Sequence, residues 1–95
     1  MELEWDEEKD RINRAKHGIS LAEAVELDWE GGKRVADERK DYGEHRELIY
    51  ANLGERLFVC IFARRDKFTR IISLRKANKR EIMKYGQGIQ HPDLE

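Results

Sequence analysis

The spacing of apolar residues at the start of the chain predicts a short strand followed by a helix. Leu3 and Trp5 alternate with acidic residues, which is typical of a half-buried strand. Asp6 then offers a side-chain oxygen for the first turn of a helix, and residues 7–17 are rich in charge with few apolar positions. Gly18 suits the left-handed residue at the end of such a helix. We therefore expect a helix that needs support from the rest of the fold.

A second helix is predicted directly after the first. Ser20 is a good cap, and Leu21, Ala24 and Val25 give the following residues one apolar face. Residues 30–32 contain two glycines and end the helical part of the chain.

After residue 32, the spacing of apolar residues changes from that of helices to that of strands. Residues 34–37 are a weak edge strand, and residues 46–53 alternate as a half-buried strand does. Residues 57–63 are apolar without alternation, as in a central strand covered on both faces, and residues 68–74 form the next strand. Asn78 and Glu81 have the spacing of a capping box, which predicts a last helix ending near Tyr85.

These elements predict an α+β fold. Short connections make neighbouring strands antiparallel, so we expect a small antiparallel sheet of three to four strands, with two N-terminal helices and one C-terminal helix on one face. Residues 1–95 form a single domain, with 86–95 as a loose tail. A small open sheet also leaves a face and an edge to be covered, which favours a homodimer or a bound partner.

Composition narrows the class of protein. The chain of 95 residues is 39% hydrophobic and 41% charged, with no apolar run long enough to span a bilayer. The acidic N-terminus lacks the order of a signal peptide, so a cytoplasmic protein without membrane contact is expected. Cys60 stands within an apolar run and is predicted to be a buried hydrophobe. The cysteine and histidine spacing indicates no metal site, and no cofactor is expected.

Positive charge is concentrated in residues 64–85. This stretch has nine basic and two acidic residues and a net charge of +7, whereas the whole chain carries −1. Such a cluster is typical of a surface that binds a polyanion, although a solvated strand end and helix face would have the same composition.

Within the strand 68–74, strict alternation places Arg70 on one face and Arg75 on the other. Arg70 is expected either to pair with a carboxylate such as Asp6 or Glu44, or to grip phosphate with its bidentate guanidinium. Arg75 and Lys76 lie where the strand ends and the last helix begins, and the free N–H groups of that helix add to the positive potential.

A histidine and a tyrosine complete the candidates. His17 is the natural proton-transfer group at neutral pH, but it also suits the end of a helix for electrostatic reasons alone. Tyr85 is expected either to stack on a base or to pack against the sheet.

The chain resembles the BrnT family, the toxins of type II BrnT–BrnA toxin–antitoxin systems. The resemblance covers residues 3–85 and is weakest over residues 31–42. It rests on two motifs found in this order, Glu4-Trp5-Asp6 followed by Lys16-His17-Gly18-Ile19, and Arg70-Ile71-Ile72-Ser73 followed by Arg75-Lys76-Ala77.

The resemblance implies a RelE-like ribonuclease that cleaves RNA and inhibits translation. It also implies neutralisation by a BrnA-type antitoxin, a toxin homodimer or 2:2 complex, and contact with operator DNA only through the antitoxin. The implied catalytic residues are Lys16, His17, Arg70 and Arg75. Arg46, Arg64, Lys76 and Tyr85 are implied to bind RNA, whereas Asp6, Ser20 and Glu81 are structural or capping residues.

Two hypotheses follow. The first is a metal-independent endoribonuclease in which the RNA 2′-hydroxyl attacks its own phosphate, with His17 or Lys16 moving the proton. The second is a module that binds protein or nucleic acid without chemistry. A regulator that binds DNA by itself is disfavoured, because the sequence has no helix-turn-helix pattern and the rest of the chain is acidic.

Overall fold

The computed structural model describes residues 2–86. Its elements, in chain order, are β1 (Glu2–Glu4), α1 (Glu7–His17), a 3₁₀ helix (Leu21–Glu26), β2 (Lys33–Ala36), β3 (Arg46–Leu53), β4 (Arg56–Arg65), β5 (Phe68–Lys76) and α2 (Lys79–Tyr85). The α+β class is therefore confirmed, and the second predicted helix is a 3₁₀ helix. Of the predicted tail at 86–95, residues 87–95 lie outside the described part of the chain.

Local capping sets the ends of the helices as the sequence predicts. The Asp6 carboxylate accepts a hydrogen bond from the Lys9 N–H at 3.0 Å, and Gly18 ends α1 with a φ of 73°. The Ser20 hydroxyl caps the 3₁₀ helix by accepting from the Ala22 N–H. Asn78 and Glu81 form the predicted capping box at the start of α2.

The sheet has five strands in the order β1-β5-β4-β3-β2. The ladders β2–β3, β3–β4 and β4–β5 are antiparallel, whereas β1 pairs in parallel with β5. The expected antiparallel sheet of three to four strands is therefore wrong in strand number and in being purely antiparallel. The parallel pair follows from α1, which carries the chain away from β1 and makes room for β5 to return beside it.

Helices lie on both faces of the sheet, which corrects the expectation of a single covered face. The first face carries Ile49, Phe62 and Ile71 and packs on the 3₁₀ helix. The second face carries Leu57 and Val59 and packs on α2. Because β4 is apolar on both sides, each side needs its own cover. Cys60 lies in the first core with no exposed surface, and this burial raises the pKa of its thiol to about 12.

A β-bulge in β5 changes the face on which its arginines lie. Ile61 pairs with Ser73 and Phe62 pairs with Ile71, so Ile72 is an extra residue in β5. The register then places Arg70 opposite Ala63 and Arg75 opposite Val59, both on the second face. The prediction that Arg70 and Arg75 lie on opposite faces is wrong, because one extra residue reverses the alternation.

The side chain of Asn13 joins α1 to the open edge of β5. Within residues 2–86, no strand lies beside the edge of β5 beyond the three residues paired with β1. The Asn13 amide donates to the Leu74 carbonyl at 2.8 Å and accepts from the Leu74 N–H at 3.1 Å. It also donates to the Ile19 carbonyl at 2.9 Å. The Asn13 side chain thus makes the two hydrogen bonds to Leu74 that a neighbouring strand would make, and it fixes α1 beside β5.

We expect Asn13→Ala to lower the free energy of unfolding by about 2–4 kcal/mol, because buried backbone groups of Leu74 would lose their partner. Urea denaturation followed by circular dichroism measures this change. The control is Arg11→Ala on the same helix, whose ion pair with Glu8 is exposed and whose loss should cost less than about 1 kcal/mol. Equal, small effects of both substitutions would show that the Asn13 bridge does not hold α1.

Candidate functional site

A cavity of about 390 Å³ lies between α1 and the second face of the sheet. Helix α1 forms one wall, the bulged part of β5 forms the floor, and the loop between β2 and β3 contributes one residue. The lining residues are Lys9, Ile12, Asn13, Lys16, His17, Arg39, Ile61, Ile72, Ser73 and Arg75. Of the four predicted catalytic residues, Lys16, His17 and Arg75 thus share one cavity.

Lys16 and His17 belong to the last turn of α1. Basic side chains are favoured there because the C-terminal end of a helix carries partial negative charge. Partial desolvation lowers the pKa of the exposed His17 imidazole below its usual 6.5, and the positive charges of Lys16 and Arg75 lower it further. His17 is therefore mostly neutral at pH 7 and able to accept a proton.

Arg75 lies at the floor of the cavity and is held by Glu81 of α2. Its Nη1 and Nη2 atoms each donate to a Glu81 carboxylate oxygen at 2.9 Å, and Nη1 also donates to the Lys76 carbonyl at 3.2 Å. These bonds engage the end of the guanidinium and leave the Nε edge for another acceptor. The pKa of Glu81 is lowered, chiefly by its hydrogen bonds from Arg75, so the carboxylate stays charged.

Glu81 therefore has two structural roles: it caps α2 and it holds the guanidinium of Arg75. One oxygen accepts from the Asn78 N–H at 2.8 Å and completes the helix cap, while both oxygens hold Arg75. The predicted capping role of Glu81 is confirmed, and its contact with Arg75 was not predicted.

Arg39 is one of the cavity residues that the sequence did not predict, and like Lys9 it brings a positive charge. It lies in the loop between β2 and β3, within the stretch where the resemblance to the family is weakest. The feature of the sequence that could have indicated its position is Asp37, two residues before it. An acidic and a basic residue at this spacing are common in polar loops, so the pair does not identify a site. Only the pairing of β2 with β3 brings this loop over the second face.

Arg70 and Arg46 lie on the second face but do not line the cavity. Both are opposite Ala63 in the ladders, whereas Arg75 is opposite Val59. Four residues of β4 correspond to roughly 13 Å along the strand. Arg70 Nη1 lies 3.4 Å from Glu4 Oε2, so its partner is neither Asp6 nor Glu44.

None of the four predicted RNA-binding residues lines the cavity. The Arg46 guanidinium lies 4.1 Å from the Tyr42 ring and pairs with Glu44. Arg64 and Lys76 are exposed at the ends of β4 and β5. Tyr85 stacks on Tyr50 with ring centroids 3.9 Å apart, so one of its faces is used inside the protein.

The cavity joins a neutral imidazole to several fixed cations. Such a combination can accept a proton at one point and stabilise negative charge at another, which is what cleavage of a phosphodiester requires. Among residues 2–86, no three His, Cys, Asp or Glu side chains come together as possible metal ligands. Over the same residues, no helix is long and apolar enough to cross a membrane.

We expect the His17 imidazole to titrate below pH 6.5, and Arg75→Gln to raise its pKa. A neighbouring cation disfavours a second positive charge, so removing the Arg75 charge and freeing the Glu81 carboxylate both act upward. Heteronuclear NMR of the imidazole resonances measures this directly. Lys67→Gln, in the turn between β4 and β5, is the control with the same charge change. A His17 pKa that does not respond to Arg75→Gln would contradict the shared cavity.

The chain matches the model of a known protein family. The family model described as the ribonuclease toxin BrnT of type II toxin–antitoxin systems matches residues 5–81, which is most of the chain. No curated protein matches the chain. The matched segment begins directly after β1 and includes all of the cavity-lining residues and the first turn of α2.

Proposed function

Because the chain belongs to the BrnT family of ribonuclease toxins of type II toxin–antitoxin systems, we propose that it cleaves RNA in the cavity between α1 and β5. The observation that carries the proposal is the meeting of Lys16, His17 and Arg75 around that cavity. These residues come from distant parts of the chain, and each has a use in phosphodiester cleavage.

The proposed reaction needs no metal ion. His17 removes the proton from a ribose 2′-hydroxyl, and the 2′-oxygen attacks the adjacent phosphorus. The bond from phosphorus to the 5′-oxygen breaks, and that oxygen takes a proton from Lys16 or water. The products are a 2′,3′-cyclic phosphate and a free 5′-hydroxyl. The lowered pKa of His17 supports its assignment as the base, because a protonated imidazole cannot begin this reaction.

Arg75 is proposed to stabilise the charge on the phosphorane. Its guanidinium is fixed by Glu81 before substrate arrives, so little reorganisation is needed during the reaction. The Nε edge remains available to a phosphate oxygen, and donors fixed in this way stabilise a transition state more than mobile ones do.

The remaining predicted residues are proposed to contact RNA outside the cavity. Arg70 and Arg46 form a row on the second face, and Arg64, Lys76 and Tyr85 lie near strand and helix ends. Their carboxylate partners reduce the net charge of the row, so these contacts would position the strand rather than drive catalysis.

The proposed protein partner is a BrnA-type antitoxin, with the toxin as a homodimer or in a 2:2 complex, and with operator DNA bound only through the antitoxin. Family membership supports an antitoxin partner in general. Ile12, which lines the cavity, and Val25 of the 3₁₀ helix are both exposed apolar side chains that a partner would cover.

We expect the purified protein to cleave RNA in excess chelator, and Arg75→Ala to slow cleavage by about 100-fold. His17→Ala should slow it by roughly 100-fold or more. Gel analysis of a defined RNA, with the cyclic phosphate identified by mass spectrometry, measures rate and product. Arg11→Ala removes an exposed arginine of α1 and should leave the rate unchanged. Activity that is lost in chelator and restored by magnesium would overturn the metal-free scheme.

A binding module without chemistry is the second candidate, and the bidentate contact between Arg75 and Glu81 favours it. A guanidinium already neutralised by a carboxylate attracts a phosphate less strongly. Expression of the chain alone separates the two functions. Normal growth with intact RNA, together with no effect of Arg75→Ala, is the result expected of the module.

A further inference from the structure

The loop between β2 and β3 places a second guanidinium at the cavity. Arg39 lines the cavity together with Arg75. The two guanidiniums are close enough for the charge of Arg39 to act on that of Arg75, and this interaction is unfavourable for both. Like charges held near each other at one opening create a site for an anion between them.

A buried carboxylate fixes Arg39 in this position. The Asp37 side chain has no exposed surface, and it accepts from Arg39 Nε at 2.7 Å and from Nη2 at 2.9 Å. The Asp37 N–H donates to the Arg46 carbonyl, which ties the loop to β3. A buried carboxylate needs a cation, so Asp37 determines where Arg39 points.

The pairing with Asp37 uses only one edge of the guanidinium. The side-on contact through Nε and Nη2 leaves Nη1 on the far side of the group, away from Asp37. The Arg39 side chain also interacts with the Tyr42 hydroxyl, but it is 63% exposed, so much of its surface is accessible to a ligand. Arg75 has the complementary arrangement, with its end held by Glu81 and its Nε edge available.

We propose that Arg39 binds a phosphate of the RNA strand in the cavity, and that Asp37 is its positioning residue. The inference rests on the proposed function, because it takes RNA as the ligand of the cavity. It adds a residue from the loop, which neither the sequence motifs nor the resemblance assigned. A phosphate in the cavity would then receive donors from two guanidiniums, each held by its own carboxylate.

The test measures binding of an RNA oligonucleotide with 2′-O-methyl groups, which cannot be cleaved because the nucleophile is blocked. The main variant is Asp37→Asn with Arg39→Gln, which removes the guanidinium without leaving a buried charge and without changing the net charge. We expect about tenfold weaker binding by fluorescence anisotropy. The slope of log K against log salt should fall by about 0.7, as for one lost phosphate contact on a single strand.

Two further variants separate positioning from general charge. Asp37→Asn alone makes the protein more positive, so an effect of charge alone would tighten binding. A positioning role predicts weaker binding instead, because Arg39 loses its anchor. Lys40→Ala removes an exposed cation from the same loop and should change affinity less than twofold. Thermal unfolding of each variant confirms that it is folded.

The outcomes distinguish this inference from the proposed function. If the parent binds and cleaves RNA and the double variant binds the oligonucleotide with the same affinity, Arg39 does not contact a phosphate and only the inference fails. If the parent binds but does not cleave, the ribonuclease proposal fails while the affinity of the double variant still decides the role of Arg39. If the parent does not bind the oligonucleotide at all, both fail.

Discussion

The amide of Asn13 is the contact on which the candidate site depends. A strand edge with unpaired N–H and C=O groups must be satisfied, and here one helical side chain satisfies both groups of Leu74. The same contact brings the last turn of α1, with Lys16 and His17, beside β5. Its loss would leave the backbone groups of Leu74 without their partner and would remove a direct bond between the two walls of the cavity.

The electrostatics of the site depend on two arginines that are each paired with a carboxylate but keep N–H donors for another acceptor. Asp37 holds one edge of Arg39, and Glu81 holds the end of Arg75. A carboxylate partner lowers the attraction of each guanidinium for phosphate, but it removes the freedom of a long side chain. Each pairing therefore weakens the attraction for phosphate but fixes the position of the guanidinium, and a fixed position suits a site that must stabilise a phosphorane. It also explains how a chain with a net charge of −1 can carry a cationic cavity.

The sequence predicted the features that depend on neighbouring residues. The caps at Asp6, Ser20 and Asn78, the α+β class and the family were all readable, because each is set within a few residues or by a short motif. Features set by distant contacts were missed. The parallel β1, the cover of the second face by α2 and the extra residue Ile72 have no local signature. The bulge matters most for the site, since it decides the face on which Arg70 lies. Arg39 was missed because its loop acquires a position only when β2 pairs with β3.

The central claim is that the wall formed by α1 and the floor formed by β5 enclose one RNA phosphate. A crystal structure of the protein with a 2′-O-methyl RNA oligonucleotide tests it most directly. The account predicts a phosphate in contact with Arg75, with the adjacent 2′-oxygen within reach of the His17 imidazole. An oligonucleotide bound along the row of Arg46 and Arg70, with the cavity empty and no RNA atom in contact with His17, would contradict it.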